Sequence, residues 1–282
     1  MNLYLLLLTG FLSACNGGAG SNSSLLSGDE ETPAEKFKEG EDYQVYERVR
    51  MVDSIGFTGP QEAYSILLPK GWTSRGNIIW NQPGSSCAGT FSTLKAASAD
   101  GEMTLEMFPS NVFSWNSDPM LRSMQPPNQP GFCEYREPVT IEVYLRDIFL
   151  PQLGNPEIVK SESNRDVINS MRARADKARA ELQQYGAAKI NYTPEAVNAV
   201  VRWKDGREGM ITVGVENMEA VVPNVYNGSY ASIYTTQISN RTVFIYPAEK
   251  AEEAQRTFSA IMLGIRTNPA WSGAVNSYWK QA

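Results

Sequence analysis

The stretch VNAVVRWKDGREGMITVGVE, residues 197–216, decides the fold. It lies in a strand reading Ala188–Trp203 that turns at Lys204-Asp205-Gly206-Arg207 and returns as Glu208–Glu216. Asp-Gly marks the turn because hairpin loops need a positive φ that glycine adopts without steric cost. Upstream, Ala99-Asp100-Gly101 joins Phe91–Ser98 to Glu102–Phe108 in the same way. Strands are also expected at Tyr43–Asp53, Ala63–Leu68, Asn77–Trp80 and Pro156–Lys160. Two more follow, Ser229–Ile238 and Thr242–Tyr246, hinged at Ser239-Asn240-Arg241. Short connections between neighbouring strands imply antiparallel pairing.

Three longer helices complete the pattern. The first opens at Glu137-Pro138, carries Ile141, Tyr144, Leu145, Ile148 and Phe149 at helical spacing, and stops at Pro151. The second runs from about Arg165 to Tyr185, capped by Asn164, with Ile168, Met171, Ala175, Ala178 and Leu182 as its apolar stripe. Its other face carries Arg172, Arg174, Lys177 and Arg179, read as a solvated surface. The third runs from Ala248 to Arg266, and Ala270–Trp279 forms a last helical segment. The expected class is α+β: mainly antiparallel sheet with hairpins, covered by these helices. Residues 43–282 form one domain, or two units of about 43–155 and 156–282.

The chain opens with a short apolar run, Leu3–Leu12, too short to span a bilayer and of the length found in secretory signals. It ends in Leu12-Ser13-Ala14-Cys15. This tetrad resembles the signal of bacterial lipoproteins: an aliphatic residue, two small residues, then the cysteine that receives the lipid. The resemblance implies a signal peptide over 1–14, lipidation of Cys15, export, and a membrane as partner. No Lys or Arg precedes Cys15, and the expectation is a start codon upstream of Met1. Asn16 replaces the aspartate of an inner-membrane retention signal, which favours the outer membrane in a Gram-negative host. Residues 15–42 read as a disordered acidic tether. Between Asn16 and Asp42 seven carboxylates face two lysines, so a net −5 of the chain's −6 sits in the tether. The body is close to neutral and offers no electrostatic footprint for nucleic acid.

With Cys15 lipidated, Cys87 and Cys133 remain. Both lie in Gly/Pro/Ser/Asn-rich loops, and in an exported protein the leading reading is a disulfide between them. Two free buried thiols are the second reading. A nucleophile at Gly84-Ser85-Ser86-Cys87-Ala88 is the third. The chain contains no histidine. Ser-His-Asp and Cys-His relays, and zinc sites that need histidine, are therefore excluded. No phosphate loop, dinucleotide fingerprint or calcium loop is present, so no cofactor, metal site or catalytic residue is assigned.

Tyr64-Ser-Ile-Leu-Leu-Pro-Lys-Gly-Trp72 resembles the opening strand and turn of PsbP-like domains, and Phe258–Arg266 is similar to their closing helix. That resemblance implies an antiparallel sheet sandwiched by helices, without a shared catalytic site. The leading functional expectation is a non-enzymatic binding or structural role in the cell envelope, with a glycan, peptide or protein as partner. Trp72, Trp80, Phe91, Phe108, Phe113 and Trp115 crowd the first half. Trp80 and Trp115 are the candidate binding residues, because polar, turn-prone residues follow each. The rival reading is a histidine-free glycan hydrolase using two carboxylates from Glu102, Glu106 and Asp118.

Overall fold

A computed structural model describes residues 37–38, 43–81, 87–123, 133–183, 188–224 and 228–281. Cys15, the signal segment and nearly all of the tether lie outside the described residues, as do Gly84, Ser85 and Ser86.

The Asp-Gly signal at 205–206 forms the expected hairpin. Strands β9 (Lys189–Arg202) and β10 (Arg207–Pro223) pair antiparallel, Arg202 opposite Glu208. Gly206 adopts φ +88°, and Asp205 Oδ1 accepts the Arg207 N–H at 3.1 Å. Strand β11 (Tyr230–Pro247) then returns along the whole of β10. Ser239-Asn240-Arg241 is not a hinge between two strands. It is a bulge within one 18-residue strand, where the register against β10 slips between Thr212 and Gly214. Asn240 takes φ +53° there. One extra residue on one side lets the ladder resume instead of ending.

These strands are the centre of a nine-stranded sheet. Its path runs from β3 (Thr73–Asn81) through β4 (Gly89–Ala97) and β5 (Thr104–Met107) to β11, β10, β9 and β8 (Glu157–Ser163). Off this path, β6 (Asn111–Asn116) also pairs with β11, and β7 (Glu134–Tyr135) lies parallel to β6. A second sheet holds β1 (Tyr46–Asp53), β2 (Gln61–Pro69) and β12 (Arg266–Thr267). Both sheets draw strands from before and after residue 155. The α+β class with mainly antiparallel pairing is as expected.

Helix α1 (Pro119–Ser123) is a single short turn. The first expected helix begins later than Glu137-Pro138, because Thr140 is its N-cap and accepts the Val143 N–H. It also does not stop at Pro151. It is α2 (Ile141–Tyr144), a π-helical turn (Leu145–Phe149) and α3 (Leu150–Gln152) in succession. Pro151 lacks an N–H to donate to the preceding turn, and the widened turn directly before it absorbs that misfit. Helix α4 (Arg165–Gln183) is capped by Asn164, whose Oδ1 accepts the Val167 N–H at 3.1 Å. A 3-10 turn at Ala248–Lys250 leads into α5 (Ala251–Leu263), and the last segment is a full helix, α6 (Pro269–Gln281). Among the described residues no helix is long and apolar enough to cross a membrane.

Two apolar cores follow from strand alternation. One lies between the sheets, where Ile66 and Leu68 of β2 meet Leu94, Leu105 and Phe244, with Ile261 of α5 closing it. The other lies on the opposite face of the large sheet, where Tyr144, Leu145 and Phe149 pack onto Val201, Ile211 and Val213. The segments Tyr64–Trp72 and Phe258–Arg266 approach closely: a Cβ on Gly264 would meet Leu67 Cβ at 2.6 Å.

Candidate functional site: a cavity between the sheets

Strand β5 ends at Met107 and β6 begins at Asn111, both paired to β11 on either side of the bulge. The break between them leaves a cavity of about 100 Å³. From the large sheet it is lined by Phe91, Ser92, Met107, Gln237, Ser239 and Thr242. From the other layer come Tyr64 and the C-terminal residues Ile265, Thr267, Trp271, Ser272 and Val275.

The bulge residue Arg241 is on this lining, but its guanidinium turns toward Gln152 and Phe149 of the opposite core, with the buried Nε–H left without a partner. The guanidinium donates to Pro109 O at 2.8 Å, Asn111 Oδ1 at 3.0 Å and Gln152 Oε1 at 2.9 Å. It also lies 5.3 Å from the Phe108 ring centre and 5.1 Å from that of Phe149. Burial lowers its pKa, with the Tyr144 hydroxyl pulling the other way. Among the described residues no carboxylate, lysine or cysteine lines the cavity.

Trp271 is fixed by Asp53, which is fully buried and accepts its indole N–H at 2.9 Å. The hydroxyl of Tyr64, a residue 6% exposed, has no hydrogen-bond partner of normal geometry. Burial raises its pKa, and the nearby Ser92 hydroxyl offsets part of that. Ser239 is 4% exposed and Thr242 1%, so three hydroxyls sit on buried residues around one small space.

The cavity's size limits its contents to about three waters or a similar number of methylene groups. Hydrocarbon of that size gains about 2–3 kcal/mol on burial. Stripping three hydroxyls of water without new partners costs about 3–9 kcal/mol. A cation would meet no carboxylate among the described lining residues, and an anion would meet only Arg241, whose guanidinium is turned to the other face, so either would pay for desolvation. The lining therefore suits a neutral ligand with hydroxyl or amide groups.

The aromatic residues singled out from the sequence separate into different groups. Trp80 donates its indole N–H to Asp53 Oδ2 at 2.9 Å, stacks on Trp279 at 5.8 Å, and meets Phe57 and Tyr278 edge-on. It helps seat α6. Trp115 lies 4.8 Å from Tyr135, with the Arg122 guanidinium 5.1 Å from its ring centre. Neither tryptophan lines the cavity, and they fall in separate aromatic groups. Trp72 stacks on Phe244, and Phe108 meets Phe149 edge-on in the opposite core.

The three carboxylates of the hydrolase reading are likewise dispersed. Glu102 accepts from Lys250 Nζ at 2.6 Å, and Glu106 pairs with Lys95 across β4 and β5, also at 2.6 Å. Asp118 accepts the N–H groups of Met120 and Leu121 and the side-chain amide of Asn224. Among the described residues no group of three or more His, Cys, Asp or Glu is placed to hold a metal ion.

Cys87 and Cys133 form a disulfide across 46 positions. The basic face of α4 is broken up. Arg174 is half-buried near Glu216, and Arg179 pairs with Asp176 at 2.9 Å and lies over the Tyr192 ring. Arg172 is exposed, and the Lys177 side chain lies outside the described residues.

Sequence reading missed Tyr64, Gln237, Ser239, Thr242 and Trp271. The signal that pointed near them was the polar triplet Ser239-Asn240-Arg241 interrupting an apolar strand.

No protein-family model matches the sequence, and no curated protein does. Among solved structures the chain is similar to LpqN of Mycobacterium tuberculosis, described as involved in cell envelope biogenesis. The identity is 8%, over 79% of this chain and 92% of that one, with a TM-score of 0.20. A likeness that slight carries no argument about this chain.

Proposed function

We propose that this chain is an exported lipoprotein, anchored to a bacterial membrane through Cys15, whose folded body binds a ligand or partner in the cell envelope without catalysing a reaction. The anchor rests on Leu12-Ser13-Ala14-Cys15 and the tether behind it. The binding role rests on one observation above all. The cavity combines aromatic and aliphatic walls with uncharged polar groups, and among the described residues its lining holds no carboxylate, lysine or thiol, its one charged residue, Arg241, turning its guanidinium to the opposite core. The Cys87–Cys133 bond suits an oxidising compartment.

Mass spectrometry of the protein from its native membrane fraction, with and without reductant, tests the anchoring. The expected chain begins at an acylated Cys15 and gains two hydrogen atoms when the reductant supplies two electrons and two protons to the disulfide. A soluble chain that keeps residues 1–14 would overturn the reading.

A further inference from the structure

The polar groups of the cavity are arranged for a ligand richer in hydroxyls than a lipid tail and less charged than a phosphate or carboxylate. Tyr64, Ser239 and Thr242 are buried residues on its lining, and among the described residues their hydroxyls make no hydrogen bond of normal geometry to protein. The Gln237 amide and the Ser92 hydroxyl add further donors and acceptors to the same lining. Trp271 and Phe91 supply aromatic surface beside them, and Trp271 is held in place by Asp53.

We infer that the cavity seats one hydroxylated edge of a neutral saccharide unit of an envelope glycan. The inference deepens the binding role proposed above and rests on it. One hydroxylated edge of the sugar replaces the two or three waters that a space of this size holds. Hydrocarbon in the same space would leave the hydroxyls unpaired, a cation would meet no carboxylate among the described lining residues, and the one cationic lining residue, Arg241, turns its guanidinium to the opposite core, away from an anion. An extended peptide binds by adding to a free strand edge. Here β11 is already paired to β10 on one side and to β5 and β6 on the other, so the site offers side-chain hydroxyls instead of a strand edge.

The test titrates the full chain with methyl glycosides of glucose, mannose, galactose and N-acetylglucosamine. Octanol serves as the hydrocarbon probe and a blocked tetra-alanine as the peptide probe. Binding is read by saturation-transfer NMR and tryptophan fluorescence. At least one glycoside should bind saturably. Thr242→Val, which keeps shape and removes the hydroxyl, should weaken it about tenfold with an unchanged Tm. Ser239→Ala and Gln237→Leu should weaken it in the same direction, so one poorly folded variant does not decide the outcome. Octanol or peptide binding while every glycoside stays silent overturns the saccharide assignment and leaves the cavity as a binding site. Silence from all three probe classes overturns the assignment and the cavity's binding role together. Glycoside binding that none of the three variants weakens places the sugar elsewhere and also overturns it.

Discussion

Trp271 donates its indole N–H to Asp53 Oδ2 at 2.9 Å, across 218 positions of sequence. Trp80 donates to the same oxygen at 2.9 Å, and the N–H groups of Ile55 and Gly56 reach Oδ1 at 3.0 and 2.9 Å. One buried carboxylate thus ties together the end of β1, the edge strand β3 and the C-terminal helix that walls the cavity. Asp53→Asn leaves buried N–H donors facing an amide that can satisfy only some of them. It should cost about 2–4 kcal/mol. Urea unfolding measures the loss, and tryptophan emission should shift to the red as α6 loosens.

The same residue sets an acid limit. Burial pushes the Asp53 carboxyl pKa up, but the Trp271, Gly56, Ile55 and Trp80 hydrogen bonds together outweigh it and hold the pKa below the ordinary value. The unfolded chain takes up this proton near pH ~3.9, while the folded chain resists until lower pH. Over that interval the unfolded state binds more protons, so stability falls as pH falls. Above the unfolded value the contribution is complete and constant. Chemical denaturation between pH 3 and 7 should show a shallower acid-side decline in Asp53→Asn than in the parent.

Arg241 fastens the bulge to the helical segment on the other face of the sheet. Arg241→Met would strand the Asn111 and Gln152 side chains and the Pro109 carbonyl, and should cost about 2–4 kcal/mol. Arg241→Lys keeps the charge but lacks the planar fork that reaches three acceptors between two rings, so it should rescue only partly. A shift of the urea midpoint at constant slope is the readout.

The Cys87–Cys133 bond closes a loop across 46 positions. By the chain-entropy relation it stabilises the fold by about 4 kcal/mol. Thermal unfolding with and without reductant should therefore show a lower Tm for the reduced protein. Equal values would mean the loops are held by other contacts.

Two glycines mark close approaches of different hardness. A Cβ on Gly76 would lie 2.4 Å from the Thr93 carbonyl and 2.2 Å from Met51 Cε, where β1 crosses β3. A Cβ on Gly214 would meet the tip of Met171 at 2.2 Å, with Ser239 Oγ and Val167 Cγ1 at 3.3 and 3.4 Å. A methionine tip can move and a strand carbonyl cannot. Gly76→Ala should cost about 1–3 kcal/mol, and Gly214→Ala less. Comparing the two midpoints in urea checks the order.

The strands, the turns and most helix limits were legible because they rest on local chemistry. Asp-Gly turns, the Asn164 cap and the apolar spacing of α4 and α5 each act within a few residues. The errors came where distant partners decide. Ser239-Asn240-Arg241 looked like a hinge because its polar residues break an apolar run. It is a bulge because β10 continues unbroken beside it. Strand β9 tolerates Pro194 because β8 pairs only with residues 197–202, which leaves β10 as its single neighbour at the proline.

By itself the sequence determined the antiparallel α+β class and the missing histidine chemistry. The tertiary structure alone decided where Trp80, Trp115 and Trp271 stand. Trp80 and Trp271 look alike in sequence, yet Asp53 draws the first into the packing of α6 and sets the second on the cavity wall. Hydrophobic patterning is a short-range signal, carried by residues two to four apart. A cavity exists only where strands and helices far apart in the chain fail to fill the space between them.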